Sequence, residues 1–218
     1  LHNMNIVIIG TGYVGLVTGV GLASLGNTVD FIDLDENKIE DLSDKKITFY
    51  EPGLEEYFND DQTFKRMSFS SDYRSIKWDN IDIVFVCVQT PNNIETNSVD
   101  TNFLESAIKE INNVNNSELV ITVKSTIPPY EIEKVCEKVG MDSSKLTFNP
   151  EFLREGSAVE DFFKPDRIVL GGTDSEKLSK LKELYSGFEC EIIITDSISS
   201  QLIKYLSLIH ISEPTRRS

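Results

Sequence analysis

The feature that most constrains the fold of this sequence is a glycine-rich turn close to its beginning. The segment Gly-Thr-Gly-Tyr-Val-Gly at residues 10–15 follows the apolar run 6–9 and opens a stretch, 12–25, with the apolar spacing of a helix. A strand, a G-x-G-x-x-G turn and a helix together form the phosphate-binding unit of dinucleotide-binding folds. In such a unit Gly10 permits the tight turn, Gly12 lets the backbone approach a pyrophosphate, and Gly15 lets the helix pack closely on the strand.

The rest of the chain repeats the alternation of strand and helix. Apolar runs predict further strands at 28–32, 67–70, 81–88, 119–123, 146–149, 167–170 and 191–195. Helical patterns lie between them at 36–42, 54–58, 101–114 (with Asp100 as its cap), 129–139 and 175–186, and another begins at Ser197. Strands that alternate with helices imply parallel strands with crossover connections. We therefore expect an α/β fold: a Rossmann-like, doubly wound, mainly parallel sheet in a single domain that ends in a truncated helix.

An acidic residue follows the second predicted strand at the place where a dinucleotide fold uses one. Asp33 comes roughly twenty residues after the glycine turn, where a carboxylate accepts hydrogen bonds from the adenosine ribose. The same charge disfavours a 2′-phosphate, so the sequence favours NAD over NADP. Asp35 is the alternative acid, or else it caps the helix that follows.

Charge and composition narrow the classes of partner. The formal net charge is −15, which disfavours nucleic acid and anionic membranes as partners. An anionic cofactor must then be held by backbone dipoles at a helix start. No apolar run is long enough for a transmembrane helix, and no basic segment precedes the first one, so we expect a cytoplasmic protein. Cys87, Cys136 and Cys190 are too scattered for a disulfide framework or a metal site, and Cys87 reads as a buried structural thiol.

Polar segments follow three of the predicted strands, at residues 88–91, 124–128 and 149–156, and a turn signal occurs at 50–54. Ligands of open α/β sheets bind outside the carboxyl ends of the strands. In this order, the segments GTGYVGLVTG, YEPGLEE, KSTIPP and NPEFLREGSAVEDFFKPDRIVLGG make the chain from about Met4 to Tyr205 resemble the UDP-glucose/GDP-mannose dehydrogenase family. The last segment is more similar to the UDP-glucose branch than to the GDP-mannose or UDP-N-acetylhexosamine branches.

The resemblance implies an enzyme that oxidises the primary alcohol of a nucleotide sugar to a carboxylate with two NAD, through a thioester on a cysteine. The positions it implies for NAD binding are Gly10, Gly12, Tyr13, Val14, Gly15, Asp33, Lys38, Thr90, Thr126 and Glu155. Those it implies for substrate binding are Glu151, Phe152, Leu153, Arg154, Glu155 and Lys204. Catalytic roles fall on Thr126, Glu151, Glu155 and Lys204, with Glu151 positioning or activating water and Lys204 stabilising an oxyanion.

Plainer interpretations stay open for three of these residues. Lys38 could be an exposed helix lysine, Lys204 a charge on an amphipathic helix, and Arg154 a surface residue that neutralises acidic neighbours. None of the three cysteines matches the family's nucleophile, so we expect this chain alone to be inactive, and the full-length protein to be a homo-oligomer. Other functions consistent with the sequence are the NAD domain of a GDP-mannose, UDP-N-acetylhexosamine or β-hydroxyacid dehydrogenase, although the 149–156 segment argues against the last. A non-catalytic NAD-binding module is a further alternative.

The resemblance breaks after Tyr205. The family has a substrate-binding asparagine at the position of Leu208, and residues 206–218 resemble a translated sequencing adapter. We therefore expect an NAD-binding domain over 1–205 and a non-native tail over 206–218, which removes His210 from the catalytic candidates.

Overall fold

The computed structural model describes residues 3–93, 98–114, 116 and 118–212. In this part of the chain the strands are β1 (Asn5–Ile9), β2 (Thr28–Ile32), β3 (Met67–Ser70), β4 (Ile83–Val86), β5 (Asn92–Asn93), β6 (Ser98–Val99), β7 (Val120–Val123), β8 (Leu146–Phe148), β9 (Arg167–Gly171) and β10 (Glu191–Thr195). The helices are α1 (Tyr13–Ser24), α2 (Glu36–Ser43), α3 (Leu54–Asn59), α4 (Asp61–Phe64), α5 (Asn102–Asn112), α6 (Pro129–Val139), α7 (Ala158–Phe163), α8 (Ser175–Leu184) and α9 (Ser197–Ser212).

Eight of these strands form one sheet in the order β10-β9-β8-β7-β4-β1-β2-β3. Six of them, from β8 to β3 in that order, run parallel, which confirms the expected doubly wound architecture. β9 pairs with β8 in the antiparallel sense, and β10 is parallel to β9. The reversal arises because the chain stays at the carboxyl edge after β8: the guanidinium of Arg167, at the start of β9, lies 5.9 Å from the ring of Phe152 just beyond β8.

The sheet separates two hydrophobic cores, and successive side chains of β1 point alternately into one core and the other. Ile6 and Ile8 point into the core that contains residues of α1, α7 and α8, while Val7 and Ile9 point into the core that contains residues of α5 and α6. Both faces of the central strands are therefore buried, which is why their sequences are continuous apolar runs.

Several boundaries differ from the prediction. The most apolar strand is Ile83–Val86, shorter than the predicted 81–88. Helix α5 begins at Asn102, and its N-cap is Thr101; Asp100 contributes by accepting a hydrogen bond from the Asn102 amide at 2.9 Å. The short helices α4 and α7 were not predicted, because four- and six-residue helices leave little periodicity to detect.

The last helix crosses the boundary expected at residue 205. α9 continues to Ser212, so the expected non-native tail begins inside a helix, and residues 213–218 lie outside the described part of the chain. Among the residues that the structure describes, no helix combines the length and the apolar character needed to cross a membrane.

Candidate functional site

The glycine turn after β1 has the geometry that the sequence predicted. Gly10 has φ +97°, and a Cβ there would lie 2.8 Å from the carbonyl oxygen of Cys87. A Cβ on Gly15 would lie only 1.9 Å from the carbonyl oxygen of Gly10. A Cβ on Gly12, in contrast, would meet no atom within 4 Å. The turn is therefore tightly packed on its inner side and open at Gly12, where an external group can approach the backbone.

The first turn of α1 is suited to an anion. Gly12 is the N-cap residue and provides no side-chain hydrogen bond, and the turn contains no acidic residue. The helix start therefore presents amide groups and the positive end of its dipole to the open space. Tyr13 and Val14, the first residues of the helix, are half-buried beside this position.

Asp33 lies directly behind the turn. Its Oδ2 accepts hydrogen bonds from the Thr11 amide at 2.8 Å and from the Thr11 hydroxyl at 2.7 Å. Burial opposes ionisation of this carboxyl, but the bonds from Thr11 and Asp35 and the charge of Lys38 lower its pKa on balance. Asp35 itself accepts hydrogen bonds from the amides of Asn37 and Lys38 and so caps α2. Of the two acids, Asp33 thus faces the glycine turn, and Asp35 has the capping role that the sequence left open.

Two threonines meet where β4 and β7 end. The Thr90 hydroxyl donates a 2.7 Å hydrogen bond to the carbonyl of Thr126. The hydroxyl of Ser125 donates to the Val88 carbonyl at 2.6 Å and so joins the same two loops. These bonds bring Thr90 and Thr126, which are 36 residues apart in sequence, to one place on the sheet edge.

The loop after β8 carries the closest pairing between predicted catalytic residues. Lys204, on α9, donates to Glu151 twice: to Oε1 at 2.7 Å and to the backbone carbonyl at 2.6 Å. Glu151 Oε2 accepts a 2.7 Å bond from the Leu153 amide. The sequence alternative in which Lys204 is only a charge on an amphipathic helix does not fit this buried pairing, since just 9% of the Lys204 side chain is exposed.

A small pocket joins Lys204 to Thr126. Its volume is about 10 Å³, enough for about one water molecule, and both residues line it together with Gln201. Gln201 is buried, and its Oε1 has no hydrogen-bond partner within the described part of the chain. A buried acceptor of this kind requires a donor. A water molecule in the pocket would supply it.

A larger cleft of about 600 Å³ lies along the same loop, within the size range of small-ligand sites. Its wall includes the cations Lys124, Arg154, Lys164, Arg167 and Lys204. Phe152 lies near two of them, with Lys204 Nζ 5.8 Å and the Arg167 guanidinium 5.9 Å from its ring centre. Four acidic residues line the cleft as well, namely Glu151, Glu160, Asp161 and Asp166, so the charges in the cleft are nearly balanced on a strongly acidic chain.

Arg154 and Glu155, at the end of the loop, are exposed. Arg154 forms a two-pronged ion pair with Asp161, with contacts of 3.1 and 2.6 Å, which agrees with the plainer interpretation that it neutralises an acidic neighbour. Burial and Glu51 raise the pKa of the Tyr13 phenol, and the nearby charge of Glu155 adds to the same effect. Glu155 thus lies near one residue of the glycine turn, and its role toward cofactor and substrate stays a prediction.

Lys124 and Glu51 have no role assigned from the sequence, although the segments 124–128 and 50–54 that contain them were singled out. Lys124 is buried and donates to Asn149 Oδ1 at 2.9 Å. Tyr185 donates to the same oxygen at 2.6 Å. Glu51, also buried, accepts hydrogen bonds from Tyr13 and from the loop after Glu155. The sequence gives the type of each residue and the segment in which it lies, but it does not give the hydrogen-bond partners.

The cysteines are poor nucleophiles in this structure. Burial raises the pKa of Cys87 to about 12 and that of Cys136 to about 11, and it also raises the pKa of Cys190. Thiolates are the reactive form, so the raised pKa values disfavour reaction of these thiols near neutral pH. Across the described ranges, no cluster of three or more His, Cys, Asp or Glu could hold a metal ion.

Comparison with known proteins agrees with this geometry. The family model for the NAD binding domain of the UDP-glucose/GDP-mannose dehydrogenase family matches residues 4–189. The chain is 39% identical over 207 residues to the UDP-glucose 6-dehydrogenase of Rickettsia bellii, covering 93% of this chain and 47% of the relative. It is 38% identical over 212 residues to a UDP-glucose 6-dehydrogenase of Bacillus subtilis, with 94% and 47% covered.

Solved structures give the same result. A UDP-glucose dehydrogenase from Pyrobaculum islandicum superposes with a TM-score of 0.85 at 34% identity, over 96% of this chain and 50% of that one. A GDP-mannose dehydrogenase from Pseudomonas aeruginosa superposes with a TM-score of 0.87 at 27% identity, over the same shares. The chain spans about half the length of the curated relatives that it matches.

Proposed function

This chain belongs to the UDP-glucose/GDP-mannose dehydrogenase family, and we propose that its residues 1–205 are the NAD-binding domain of a UDP-glucose 6-dehydrogenase. The full-length protein would oxidise UDP-glucose to UDP-glucuronate with two NAD. One observation carries the proposal: the glycine turn, Asp33, Thr126 and Glu151 follow parallel strands of one sheet, so cofactor and substrate groups share its carboxyl edge. UDP-glucose is preferred over GDP-mannose because relatives named for it are the more similar in sequence.

The residues present fit NAD. The open space at Gly12 admits a pyrophosphate to the start of α1, and Asp33, already ionised, has the charge to accept hydrogen bonds from ribose hydroxyls. Lys38, Thr90 and Thr126 complete the cofactor side in this proposal. When bound, NAD supplies the hydride acceptor for oxidation of the alcohol.

On the substrate side, Lys204 and Glu151 act as a pair. An ammonium has three N–H donors, and Glu151 accepts two of them, so one is left for a substrate oxygen. A fixed cation at that point stabilises the oxyanion that develops on the substrate. Both carboxylate oxygens of Glu151 already accept hydrogen bonds. In this proposal Glu151 therefore positions Lys204 and a water molecule and does not abstract a proton.

The remaining predicted roles follow from position. Phe152, Leu153 and Arg154 form part of the wall of the 600 Å³ cleft, which is large enough for a nucleotide sugar. Glu155 stands where cofactor and substrate meet. Since none of the three thiols is suited to attack an aldehyde, the nucleophile belongs to the second half of the full-length protein.

Calorimetry with this chain tests the cofactor side: we expect NAD to bind and NADP to bind more weakly, and equal affinity would contradict the role of Asp33. NADH formation by the full-length protein tests the substrate, with UDP-glucose, GDP-mannose and UDP-N-acetylglucosamine compared at equal concentration. A preference for GDP-mannose would overturn the assignment of the sugar. This chain alone should form no NADH from UDP-glucose.

A further inference from the structure

The buried carboxylate of Glu51 joins three distant segments of the chain. Its Oε2 accepts hydrogen bonds from the Tyr13 hydroxyl at 2.6 Å and from the Gly156 amide at 2.8 Å. Its Oε1 accepts a 2.8 Å bond from the Ala158 amide. Tyr13 lies 38 residues before Glu51 in sequence, and Ala158 lies 107 residues after it. One side chain therefore links the glycine turn to the end of the 151–155 loop.

The surroundings make this linkage stiff. Only 3% of Glu51 is exposed, and a buried carboxylate is costly unless hydrogen bonds compensate its charge. Bonds to an ionised acceptor are about twice as strong as neutral ones. Moving the loop away from the turn would leave the carboxylate without two of its donors. Burial and the adjacent carboxylate also raise the pKa of Tyr13, so its hydroxyl stays protonated and able to donate.

Backbone geometry places the two loop donors. Gly156 has φ +87°, a conformation that L side chains rarely adopt, and it turns the loop so that the amides of Gly156 and Ala158 both face Glu51. The Tyr13 hydroxyl also lies 3.1 Å from the carbonyl of Arg154, a second contact between the turn and the loop.

We infer that Glu51 is a positioning residue that couples the cofactor turn to the substrate loop, so that NAD bound at the turn holds the loop in place. The inference rests on the proposed function, since it takes the turn as the NAD site and the loop as the nucleotide-sugar site. Glu51 touches neither ligand; it acts through Tyr13 on one side and through Gly156 and Ala158 on the other.

Amide hydrogen exchange, measured by NMR on this chain with and without saturating NAD, tests the coupling. In the wild type, NAD should slow exchange of the Gly156 and Ala158 amides roughly tenfold, about the effect of one additional hydrogen bond. Tyr13→Phe removes the hydroxyl that links the turn to Glu51, together with its contact to the Arg154 carbonyl. It should keep the exchange rates of the NAD-free protein near those of the wild type but abolish their response to NAD, at an NAD concentration that calorimetry shows to saturate the variant. Glu51→Gln should speed exchange at both amides, and the exposed Glu56→Gln is the matched control.

A purely structural role predicts a different pattern. Tyr13→Phe would then lower the melting temperature but leave the NAD-dependent slowing at Gly156 and Ala158 intact, and that result would overturn the coupling. If the wild type binds NAD without any change at these amides, the inference fails while the proposed function stands. If the wild type does not bind NAD at all, both fail. Should Glu51→Gln not fold, Tyr13→Phe, which removes one hydroxyl from a half-buried ring, decides the question.

Discussion

The ammonium of Lys204 lies 2.7 Å from Oε1 of Glu151 and 2.6 Å from the backbone carbonyl of the same residue. The side chains are 9% and 12% exposed, so the ion pair is almost closed to water. Burying two charges costs free energy that their attraction returns only when the geometry is good, and removing one partner then leaves an uncompensated charge. This pair therefore makes the loop after β8 depend on α9.

Breaking the pair should be strongly destabilising. Lys204→Met leaves the Glu151 carboxylate nearly buried without its cation, and we expect the free energy of unfolding to fall by about 3–5 kcal/mol. The double variant Lys204→Met/Glu151→Met should lose less than the sum of the single variants. Urea denaturation at neutral pH measures all three, with Arg74→Met, from an exposed ion pair with Asp72, as a control that should leave stability unchanged. Additivity within about 0.5 kcal/mol would mean that the two residues do not interact.

Alanine substitutions of Asp33 and Asp35 should differ in their effect on NAD binding, although both should lower the stability of the fold. Asp33→Ala leaves the amide and hydroxyl of buried Thr11 without their acceptor, so we expect a loss of about 1–3 kcal/mol and weaker NAD binding. Asp35→Ala removes the α2 cap at a cost of about 1 kcal/mol and should keep NAD affinity. Calorimetry with NAD and thermal unfolding distinguish the two variants. Equal NAD affinity for the wild type and Asp33→Ala would remove Asp33 from the site.

The difference between these two acids shows how far the sequence alone can go. The glycine turn was predictable because part of its geometry is local: Gly10 has a positive φ, and a Cβ on Gly15 would collide with the Gly10 carbonyl five residues earlier. Asp33 and Asp35 are identical in type and two positions apart. Their roles follow from where β2 ends and α2 begins, and sequence patterns locate such boundaries only to within a few residues.

The sequence could not predict contacts between residues that lie far apart along the chain. Glu51 stands in a segment that the sequence singled out, but its bond to Gly156 spans 105 residues, and no local pattern encodes it. The direction of β9 is a similar case, because an apolar run does not specify whether a strand runs parallel to its neighbour. Its reversal depends on the chain remaining at one edge of the sheet between Phe152 and Arg167.

Lys124 should reduce stability in a pH-dependent way. Its ammonium is buried, its hydrogen bonds go to neutral oxygens of Asn149, and burial lowers its pKa from the ordinary 10.5, with Lys204 adding repulsion. A lysine with a lowered pKa in the folded state contributes stability that is fully present above 10.5 and is lost as pH falls through the folded-state pKa. Lys124→Met should therefore be as stable as the wild type near neutral pH, or more stable by up to about 2 kcal/mol.

The pH profile checks the origin of this effect. Urea midpoints between about pH 7 and the ordinary lysine pKa of 10.5 should rise more steeply for the wild type than for Lys124→Met, because only the wild type loses this proton in the folded state. Lys145→Met, at an exposed position, is the control and should leave the slope unchanged. Parallel profiles for the wild type and Lys124→Met would show that Lys124 keeps its proton at no cost.

Gly12 and Gly15 lie three residues apart in the same turn and should respond oppositely to alanine. A Cβ on Gly15 would lie 1.9 Å from the Gly10 carbonyl, so Gly15→Ala forces α1 away from β1 and should unfold or severely destabilise the protein. A Cβ on Gly12 meets no atom within 4 Å, and its φ of −70° suits alanine, so Gly12→Ala should fold normally. It should nevertheless bind NAD at least roughly tenfold more weakly, because the methyl group occupies the path of the pyrophosphate. Melting temperature and NAD calorimetry on both variants test this, and unchanged NAD affinity in a folded Gly12→Ala would place the phosphates elsewhere.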